Sequence, residues 1–333
     1  MTKLSLADAY DLAVRVLLAA GVSQRNADAV AEALVAAEAD GLPSHGLSRL
    51  PSYADQVRAR KVDGKAVPVV TETAPAAVMV DARKGFAYPA IAQGLARAVR
   101  LVGRTGVVGV GVTNSHHFGV AGFHIEPLAA RGLVALAFGN SPAAIAPWGG
   151  VRALFGTNPI AFACPRKGGP PLVIDLSLSK VARGKIMIAA QKGEPIPEGW
   201  ALDAEGRPTC DAKAALGGTM LPMGDAKGAA LVLMVEILAA ALTGARFGYE
   251  ASSFFEAKGP APRVGQFFLV IDPACFAGPD FAARVGRLAK AILAQPGTRL
   301  PGDRRLKHRA QAEAEGIDVP AYLLAELERR AAG

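Results

Sequence analysis

Aromatic residues and cysteine are both scarce in this sequence. Aromatic side chains make up 6% of the 333 residues, so few rings are available to stack on nucleic-acid bases. Cys164, Cys210 and Cys275 are odd in number and far apart, which argues against a disulfide framework and against a cysteine metal-ligand pair. A reducing compartment suits this cysteine usage, and we expect a cytoplasmic protein.

Long apolar segments and a secretory signal are missing as well. The longest apolar run, residues 228–242, is interrupted by Glu236 and is too short to span a bilayer. The run instead predicts a buried helix. Asp8 and Asp11 stand where a signal peptide would need an apolar stretch. We therefore expect neither export nor a membrane partner.

Charged residues are few, but their balance is positive. They make up 20% of the chain against 51% hydrophobic residues, and the net charge is +8. This composition indicates a globular chain with an ample core. Much of the positive excess lies in residues 49–65 and 284–309. Because no nucleic-acid module signature accompanies it, we expect a phosphate-bearing small molecule, and no nucleic acid, on this basic surface.

The order of apolar patterns predicts a mixed α/β chain with a helical start. Three helices are predicted in the first sixty residues, from Ser5 to Gly21, from Ser23 to Gly41 and from Leu42 to Arg60. Beyond residue 64 the predicted strands are 69–72, 77–81, 107–113, 133–139, 172–177 and 267–272, and the predicted helices are 87–102, 119–131, 225–244, 279–295 and two short closing helices.

The glycines of strand 107–113 do not complete a dinucleotide-binding fingerprint. Gly109 and Gly111 are followed by Asn114, and the helix-opening glycine of G-x-G-x-x-G is missing. A Rossmann domain is therefore not predicted. Instead, the two glycines are expected to let another backbone or a ligand come close.

Residues 42–53, L-P-S-H-G-L-S-R-L-P-S-Y, combine groups suited to one small acid. If the segment is helical, His45, Arg49 and Tyr53 share one face, and Pro51 forces a kink or a restart just before it. Histidine exchanges protons near neutral pH, and arginine grips a carboxylate with two parallel hydrogen bonds. The alternative interpretation is a capping histidine beside a solvated arginine.

Residues 113–124 contain three of the five histidines. The adjacent His116 and His117 point in different directions on a strand or a helix, so one of them is expected to be structural. No cysteine and no H-E-x-x-H helix accompanies them, and we predict no metal. The helix that begins near Phe118 and Gly119 is expected to attract phosphate.

Two other sites keep alternatives open. Asp175 ends a predicted buried strand and is either an acceptor for ribose hydroxyls or an ordinary strand-end cap. Asp225 is expected to cap the helix 225–244. Lys227 lies in the first turn of that helix, where a cation opposes the helix dipole, so either an anion binds there or the lysine points into water.

Several motifs occur together and in a fixed order. They are S-H-G with Arg49 and Tyr53, N-S-H-H-F-G, G-T-N-P-I-A, D-L-S-x-S-x-V-A-R-G-K, D-A-K-G and R-L-P-G-D-R-R. With them the chain resembles, over nearly its whole length, the malate/L-lactate dehydrogenase-like family of NAD(P)-dependent oxidoreductases. Sulfolactate, malate and ureidoglycolate dehydrogenases and the piperideine/pyrroline-2-carboxylate reductases belong to that family.

The resemblance implies a non-Rossmann α/β fold with a mixed-sheet cofactor domain and a helical domain made from both chain ends. The implied layout is a helical N-terminal segment with substrate residues (1–70), an α/β cofactor-binding domain (71–280) and a helical C-terminal segment packing back on the N-terminal part (281–333). It also implies a homodimer with the active site near the subunit interface.

The resemblance further assigns site residues. His45 would exchange the proton with Ser44 as an orienting hydroxyl, and His117 is the acid-base group in some members. The implied substrate contacts are Arg49, Tyr53, Thr157, Arg183, Gly184 and Lys185. The implied cofactor, NAD or NADP, would lie along His117, Phe118, Gly119, Val120, Ala121, Asp175, Leu176, Ser177, Ala226, Lys227, Arg299, Pro301, Gly302, Arg304 and Arg305.

Lys185 departs from the imine-reducing branch of the family, which the resemblance implies has an acidic residue there. A lysine favours an anionic substrate by Coulomb attraction. We therefore expect hydride transfer between nicotinamide and the α-carbon of a small 2-hydroxy or 2-oxo acid that is malate-, lactate- or sulfolactate-like. The alternative is an NADPH-dependent reductase of cyclic imino acids such as piperideine- or pyrroline-2-carboxylate.

Overall fold

The computed structural model describes residues 2–333. Its strands are β1 (Thr2–Leu4), β2 (Val69–Ala74), β3 (Ala77–Asp81), β4 (Val107–Ser115), β5 (Val134–Gly139), β6 (Ile160–Cys164), β7 (Leu172–Leu176), β8 (Ala201–Leu202), β9 (Pro208–Thr209), β10 (Thr219–Met220), β11 (Val264–Ile271) and β12 (Ile317–Val319). Its helices are α1 (Leu6–Ala19), α2 (Gln24–Ala39), α3 (Leu50–Arg58), α4 (Ala87–Thr105), α5 (Ala121–Ala130), α6 (Arg183–Lys192), α7 (Ala212–Gly217), α8 (Asp225–Glu236), α9 (Ala274–Ala277), α10 (Phe281–Leu293), α11 (Asp303–Glu315) and α12 (Ala321–Ala331).

A seven-stranded mixed sheet forms the middle of the molecule, in the order β2-β3-β4-β11-β5-β6-β7. Only β3 and β4 run parallel, because α4 connects them as a crossover, and every other neighbouring pair is antiparallel. Alternate residues of β4, Val108, Val110 and Val112, are fully buried in the core that α4 and α5 cover. The strands and helices predicted beyond residue 64 are confirmed in type.

The two chain ends form one helical unit. β1 pairs antiparallel with β12, α1 packs against α2 and α12, and Leu17, Leu34 and Leu327 share one apolar core. The implied fold class, a mixed sheet with a helical domain from both ends, is confirmed. The boundaries 1–70, 71–280 and 281–333 stay a prediction. Within the last of these ranges, α10 lies beside the β6–β7 loop.

The expected third helix over residues 42–60 is wrong in its first half. Two 3-10 turns, Pro43–His45 and Leu47–Arg49, precede α3. The break is at Gly46, where an added Cβ would overlap the Glu38 carboxylate. That carboxylate accepts the Leu47 N–H at 2.7 Å and so replaces a helical hydrogen bond. The restart before Pro51 is confirmed, since this proline lies in the first turn of α3.

Two expectations about burial are also corrected. β7 is an edge strand and not a buried one, and its Leu176 is 46% exposed. The apolar helix is α-helical as far as Glu236 and is continued by a π-helical turn. It is not buried on all sides, because Leu231, Ile237 and Leu242 lie on an exposed face. Glu236 interrupts the apolar run because its buried carboxylate accepts hydrogen bonds from two asparagines and from the Gly248 N–H.

Several local features differ from what the sequence predicts. At Gly109 and Gly111 of β4 the space of a side chain is taken mainly by Phe267 and Met79 of the neighbouring strands, and the backbone atom closest to an added Cβ at Gly109 is the Ala76 carbonyl oxygen at 4.0 Å. Asp225 does not cap α8 with its side chain; Gly224 is the residue before the helix. The short strands β1, β6 and β12 were not predicted at all.

Candidate active site

The first 3-10 turn places Ser44 beside His45 and fixes Arg49. The Ser44 Oγ lies 3.0 Å from the His45 Nδ1, and the Arg49 Nε donates to the Ser44 carbonyl at 2.7 Å. The Arg49 guanidinium also lies over the Phe255 ring, 4.8 Å from its centroid. The prediction that His45 and Arg49 share one face of a helix is wrong, because they lie in two 3-10 turns. The turns still bring His45 and Arg49 together.

The end of β4 brings in the two adjacent histidines, and their roles differ. The His117 ring lies 5.6 Å from the His45 ring, centroid to centroid, with the planes 30° apart. The Nδ1 of His117 is 2.6 Å from the Tyr53 hydroxyl. His116 is buried, and its Nε2 lies 2.7 Å from the Gln56 Oε1. His116 is therefore the member of the pair whose burial and bond to Gln56 suit the predicted structural role.

Burial and nearby positive charge keep the imidazoles neutral at pH 7. Burial, aided by Arg49, lowers the pKa of His45 to about 4. Burial and then Arg49 lower the pKa of His117 well below its usual value. A neutral His45 can accept a proton at physiological pH, as a general base must.

A loop distant in sequence closes one side of this group. The Lys61 ammonium is buried and donates to the carbonyls of Ser253, Glu256 and Lys258 at 2.7, 2.8 and 3.3 Å. The loop residue Phe254 packs its ring 5.2 Å from that of His117, centroid to centroid. Sequence reasoning missed this loop and Lys61, because nothing local links residues almost two hundred positions apart.

The start of α6 meets the same group. An added Cβ at Gly184 would lie 3.9 Å from the Ser44 Cβ. Arg183 is half-buried beside it, and burial lowers the pKa of its guanidinium. Lys185 follows in the same turn and is exposed. The structure thus brings the start of α6 next to the 43–53 segment, and the substrate-binding roles of these residues stay a prediction.

A second group of expected residues lies at the carboxyl end of β7. Asp175 accepts the Gly122 N–H of α5 at 2.7 Å, so it caps that helix, and its carboxylate stands where phosphate was expected. The Thr157 carbonyl accepts the Leu178 N–H at 2.9 Å, which places Thr157 next to Ser177. The segment from His117 through Phe118, Gly119, Val120 and Ala121 connects this group to His45.

Gly119 is required by the close approach of a tyrosine. Its φ is +69°, and an added Cβ would lie 2.7 Å from the Tyr88 hydroxyl oxygen. Phe118 is buried behind it and stacks on His124, with centroids 5.7 Å apart. Phe118 and Gly119 therefore set the path of the chain between His117 and α5, and neither offers an exposed side chain to a ligand.

The basic turn after α10 lies against β7, but its arginines differ. Arg305 donates to Asp40 and Glu126 at 3.2 and 2.6 Å, and Arg309 contacts the same two carboxylates at 2.8 and 2.9 Å. This network ties α11 to α2 and α5, so the Arg305 guanidinium already has two partners. Arg304, by contrast, is exposed.

Four other residues expected on the cofactor are exposed around the same edge. Arg299 and Pro301 belong to the basic turn, and Lys227 lies in the first turn of α8 with Ala226. The turn approaches β7 at Gly302, where an added Cβ would lie 3.3 Å from the Val173 carbonyl. Within residues 2–333, no group of three or more His, Cys, Asp or Glu side chains could hold a metal ion.

Comparison with known proteins decides the family. The family model for malate/L-lactate dehydrogenase matches residues 4–328. The chain belongs to this family. The expected enzyme class, an oxidoreductase of the dehydrogenase type, is confirmed with it.

Relatives of the chain include two kinds of family member. It is 56% identical to a (2R)-3-sulfolactate dehydrogenase (NADP(+)) of Chromohalobacter salexigens, over 97% of this chain and 96% of that protein. It is 43% identical to a Δ1-pyrroline-2-carboxylate/Δ1-piperideine-2-carboxylate reductase of Pseudomonas syringae pv. tomato, over 96% of this chain and 92% of that one.

Solved structures of family members have the same fold. The Δ1-piperideine-2-carboxylate reductase from Pseudomonas syringae has a TM-score of 0.94 at 41% identity and covers 99% of this chain and 100% of its own. The sulfolactate dehydrogenase from Methanocaldococcus jannaschii has a TM-score of 0.92 at 28% identity, covering 99% and 97%. Across the described part of the chain, no helix is long and apolar enough to cross a membrane.

The buried histidines of this family member should make it sensitive to acid. Burial lowers the pKa of His124 to about 4 and that of His116 to about 3. An unfolded histidine has a pKa of about 6.5. The unfolded state therefore binds more protons, and stability is lost as pH falls from about 6.5 towards 4. Replacing His124 by Phe should reduce the slope of unfolding free energy against pH by about 1.4 kcal/mol per pH unit.

Urea denaturation between pH 4.5 and 6 measures this slope. The exposed His308, replaced by Ala, is the matched control for the loss of one imidazole. Equal slopes for His124→Phe and the unmodified protein would contradict the linkage.

Proposed function

We propose that this protein oxidises a small 2-hydroxy acid that carries a second anionic group, and reduces the matching 2-oxo acid, with NADP as hydride carrier. The observation that carries the proposal is a set of cations beside a neutral imidazole. Arg49, Arg183 and Lys185 take part in no ion pair within residues 2–333. Such a group attracts a dianion more strongly than a monoanion.

The alternative is a reductase of cyclic imino acids, favoured by the 43% identity to a reductase of that kind. Such a substrate is reduced as a protonated imine, whose positive charge beside the carboxylate is repelled by the remaining cations, Arg183 and Lys185. The 56% identity to a sulfolactate dehydrogenase supports the first reading, because sulfolactate carries a sulfonate beside its carboxylate.

Arg49 orients the acid. Its Nε–H is used by the Ser44 carbonyl, and the Phe255 ring covers one face of its plane. The terminal N–H groups remain free to bind a carboxylate in the two-pronged geometry that arginine favours. A carboxylate fixed in this way sets the direction of the α-carbon and of its hydroxyl.

His45 exchanges the proton. Being neutral in the free enzyme, it accepts the hydroxyl proton during oxidation. In the reverse direction it must first be protonated. An anionic substrate on Arg49 offsets the positive charge that helps to depress the pKa of His45, and so helps the imidazole to gain that proton.

The β7 edge suits a phosphate-bearing dinucleotide. Arg299, Arg304 and Lys227 are exposed there and form no ion pair among the described residues. An arginine near the adenosine ribose is the usual partner of the 2′-phosphate of NADP. When bound, the nicotinamide ring supplies the hydride chemistry.

A substrate and cofactor panel tests the proposal. We expect kcat/KM with NADP+ to be at least about tenfold higher for 3-sulfolactate or malate than for lactate, because one added favourable ionic contact contributes about 1.4 kcal/mol. NADP+ should also be preferred to NAD+. Replacing Lys185 by Met should reduce the preference for the second anion while turnover of lactate is kept. Steady-state kinetics measure each value.

Lys192→Met, on the exposed last turn of the same helix, is the control variant. It should leave the preference intact. Faster reduction of piperideine-2-carboxylate than of sulfopyruvate and oxaloacetate would reject the proposal in favour of the imino-acid reductase.

We also propose that the enzyme is a homodimer joined through the exposed face of α8 and the π-helical turn. Leu231, Leu233, Met234, Ile237 and Leu242 are between 39% and 58% exposed on it, and contiguous apolar surface of this kind marks an interface. Sedimentation should give twice the chain mass, and Ile237→Asp should shift the species towards monomer. A monomeric unmodified protein at micromolar concentration contradicts the proposal.

A cytoplasmic location completes the proposal. All three cysteines are free, and Cys210 and Cys275 are exposed, which suits a reducing compartment. Fractionation of the source cells should recover the activity with the cytoplasmic markers. Recovery with periplasmic or secreted markers would overturn this assignment.

A further inference from the structure

Two buried tyrosines form a hydrogen-bonded row behind His117. The Tyr88 hydroxyl lies 3.2 Å from the Tyr53 hydroxyl, which lies 2.6 Å from the His117 Nδ1. Tyr53 is fully buried and Tyr88 is 3% exposed. Burial raises the pKa of both phenols, so each keeps one proton to donate at neutral pH.

Counting donors fixes the direction of this row. In one arrangement Tyr88 donates to Tyr53, Tyr53 donates to His117, and the His117 proton is on Nε2. In the other, His117 donates from Nδ1 to Tyr53, and one hydroxyl proton is left without an acceptor: that of Tyr88 if Tyr53 donates to Tyr88, or that of Tyr53 if Tyr88 donates to Tyr53. Within residues 2–333 the Tyr88 hydroxyl has no hydrogen-bond partner other than Tyr53.

The second arrangement is the less stable one. A buried hydroxyl proton without an acceptor forfeits its hydrogen bond. The first arrangement uses every donor in the row and is therefore the favoured one.

We propose that Tyr53, itself oriented by Tyr88, holds His117 in the Nε2–H form, so that His117 donates a hydrogen bond to the substrate oxygen while His45 alone exchanges the proton. Tyr53 and Tyr88 are positioning residues, since they act through His117. The inference rests on the proposed function and assigns the two imidazoles different tasks within it.

The chemistry of the two imidazoles is complementary. Their centroids are 5.6 Å apart, which allows both rings to face one substrate oxygen. When His45 takes the hydroxyl proton, negative charge grows on that oxygen, and a preset N–H donor stabilises it. His117 cannot serve as the base at Nε2 because that nitrogen already bears a proton. The Nδ1 of His45 meets Ser44, which leaves the Nε2 of His45 for the substrate.

Substitutions separate a donor from a base. A glutamine amide can replace an Nε2–H donor but cannot accept and return a proton. His117→Gln should therefore retain at least about a tenth of kcat, whereas His117→Ala should lose about a hundredfold, as removal of one such donor does elsewhere. His45→Gln and His45→Ala should both be nearly inactive. Equal losses for His117→Gln and His117→Ala would overturn the inference.

Nitrogen-15 NMR of the imidazoles in the free enzyme gives a readout that does not depend on turnover. The Nδ1 of His117 should have the shift of an unprotonated nitrogen and its Nε2 that of a protonated one. Tyr53→Phe should abolish this single form and lower kcat about tenfold or more with little change in KM. A protonated Nδ1 in the unmodified enzyme overturns the inference. Failure of every 2-hydroxy acid in the panel, with the NMR result as expected, would reject only the proposed function.

Discussion

The hydrogen bond between Tyr53 and His117 joins the two parts of the molecule on which the site depends. Tyr53 belongs to α3 in the helical unit, and His117 follows β4, a central strand of the sheet. A second bond, from His116 to Gln56 of the same helix, lies beside it. Because both bonds tie the residues just after β4 to α3, and the turn that contains His45 leads directly into α3, they set the position of His45 relative to His117.

The packing of α3 against the end of β4 also explains why the pKa values of His45 and His117 are low. Packing the helical unit on the sheet removes the imidazoles from water, and Arg49 adds a positive charge nearby. Both effects favour neutral histidine. An anion that binds Arg49 opposes the second effect but not the first. The free enzyme is therefore set for proton acceptance, and the bound acid prepares His45 for proton donation.

Much of this could be predicted from the sequence where the signal was local or where motifs agreed in order. Alternating valines predicted β4, and the ordered motifs led to the family and to the two groups of site residues. Contacts over long sequence distances left no such signal. Lys61 and its loop partners lie almost two hundred residues apart, and nothing in the 42–53 segment revealed that the Glu38 carboxylate would break the helix at Gly46.

The charge of a residue was the least reliable predictor of whether its side chain is free to bind a ligand. Arg304 and Arg305 are neighbours in one basic turn, yet Arg304 is exposed and Arg305 is held by Asp40 and Glu126. The difference arises because successive residues at the start of α11 point in different directions. In the same way the sequence left Asp175 as either an acceptor for ribose hydroxyls or a strand-end cap, and in the structure its carboxylate accepts the Gly122 N–H at the N-terminus of α5. A charged residue thus becomes available to a ligand only when no buried group of opposite charge or polarity lies closer.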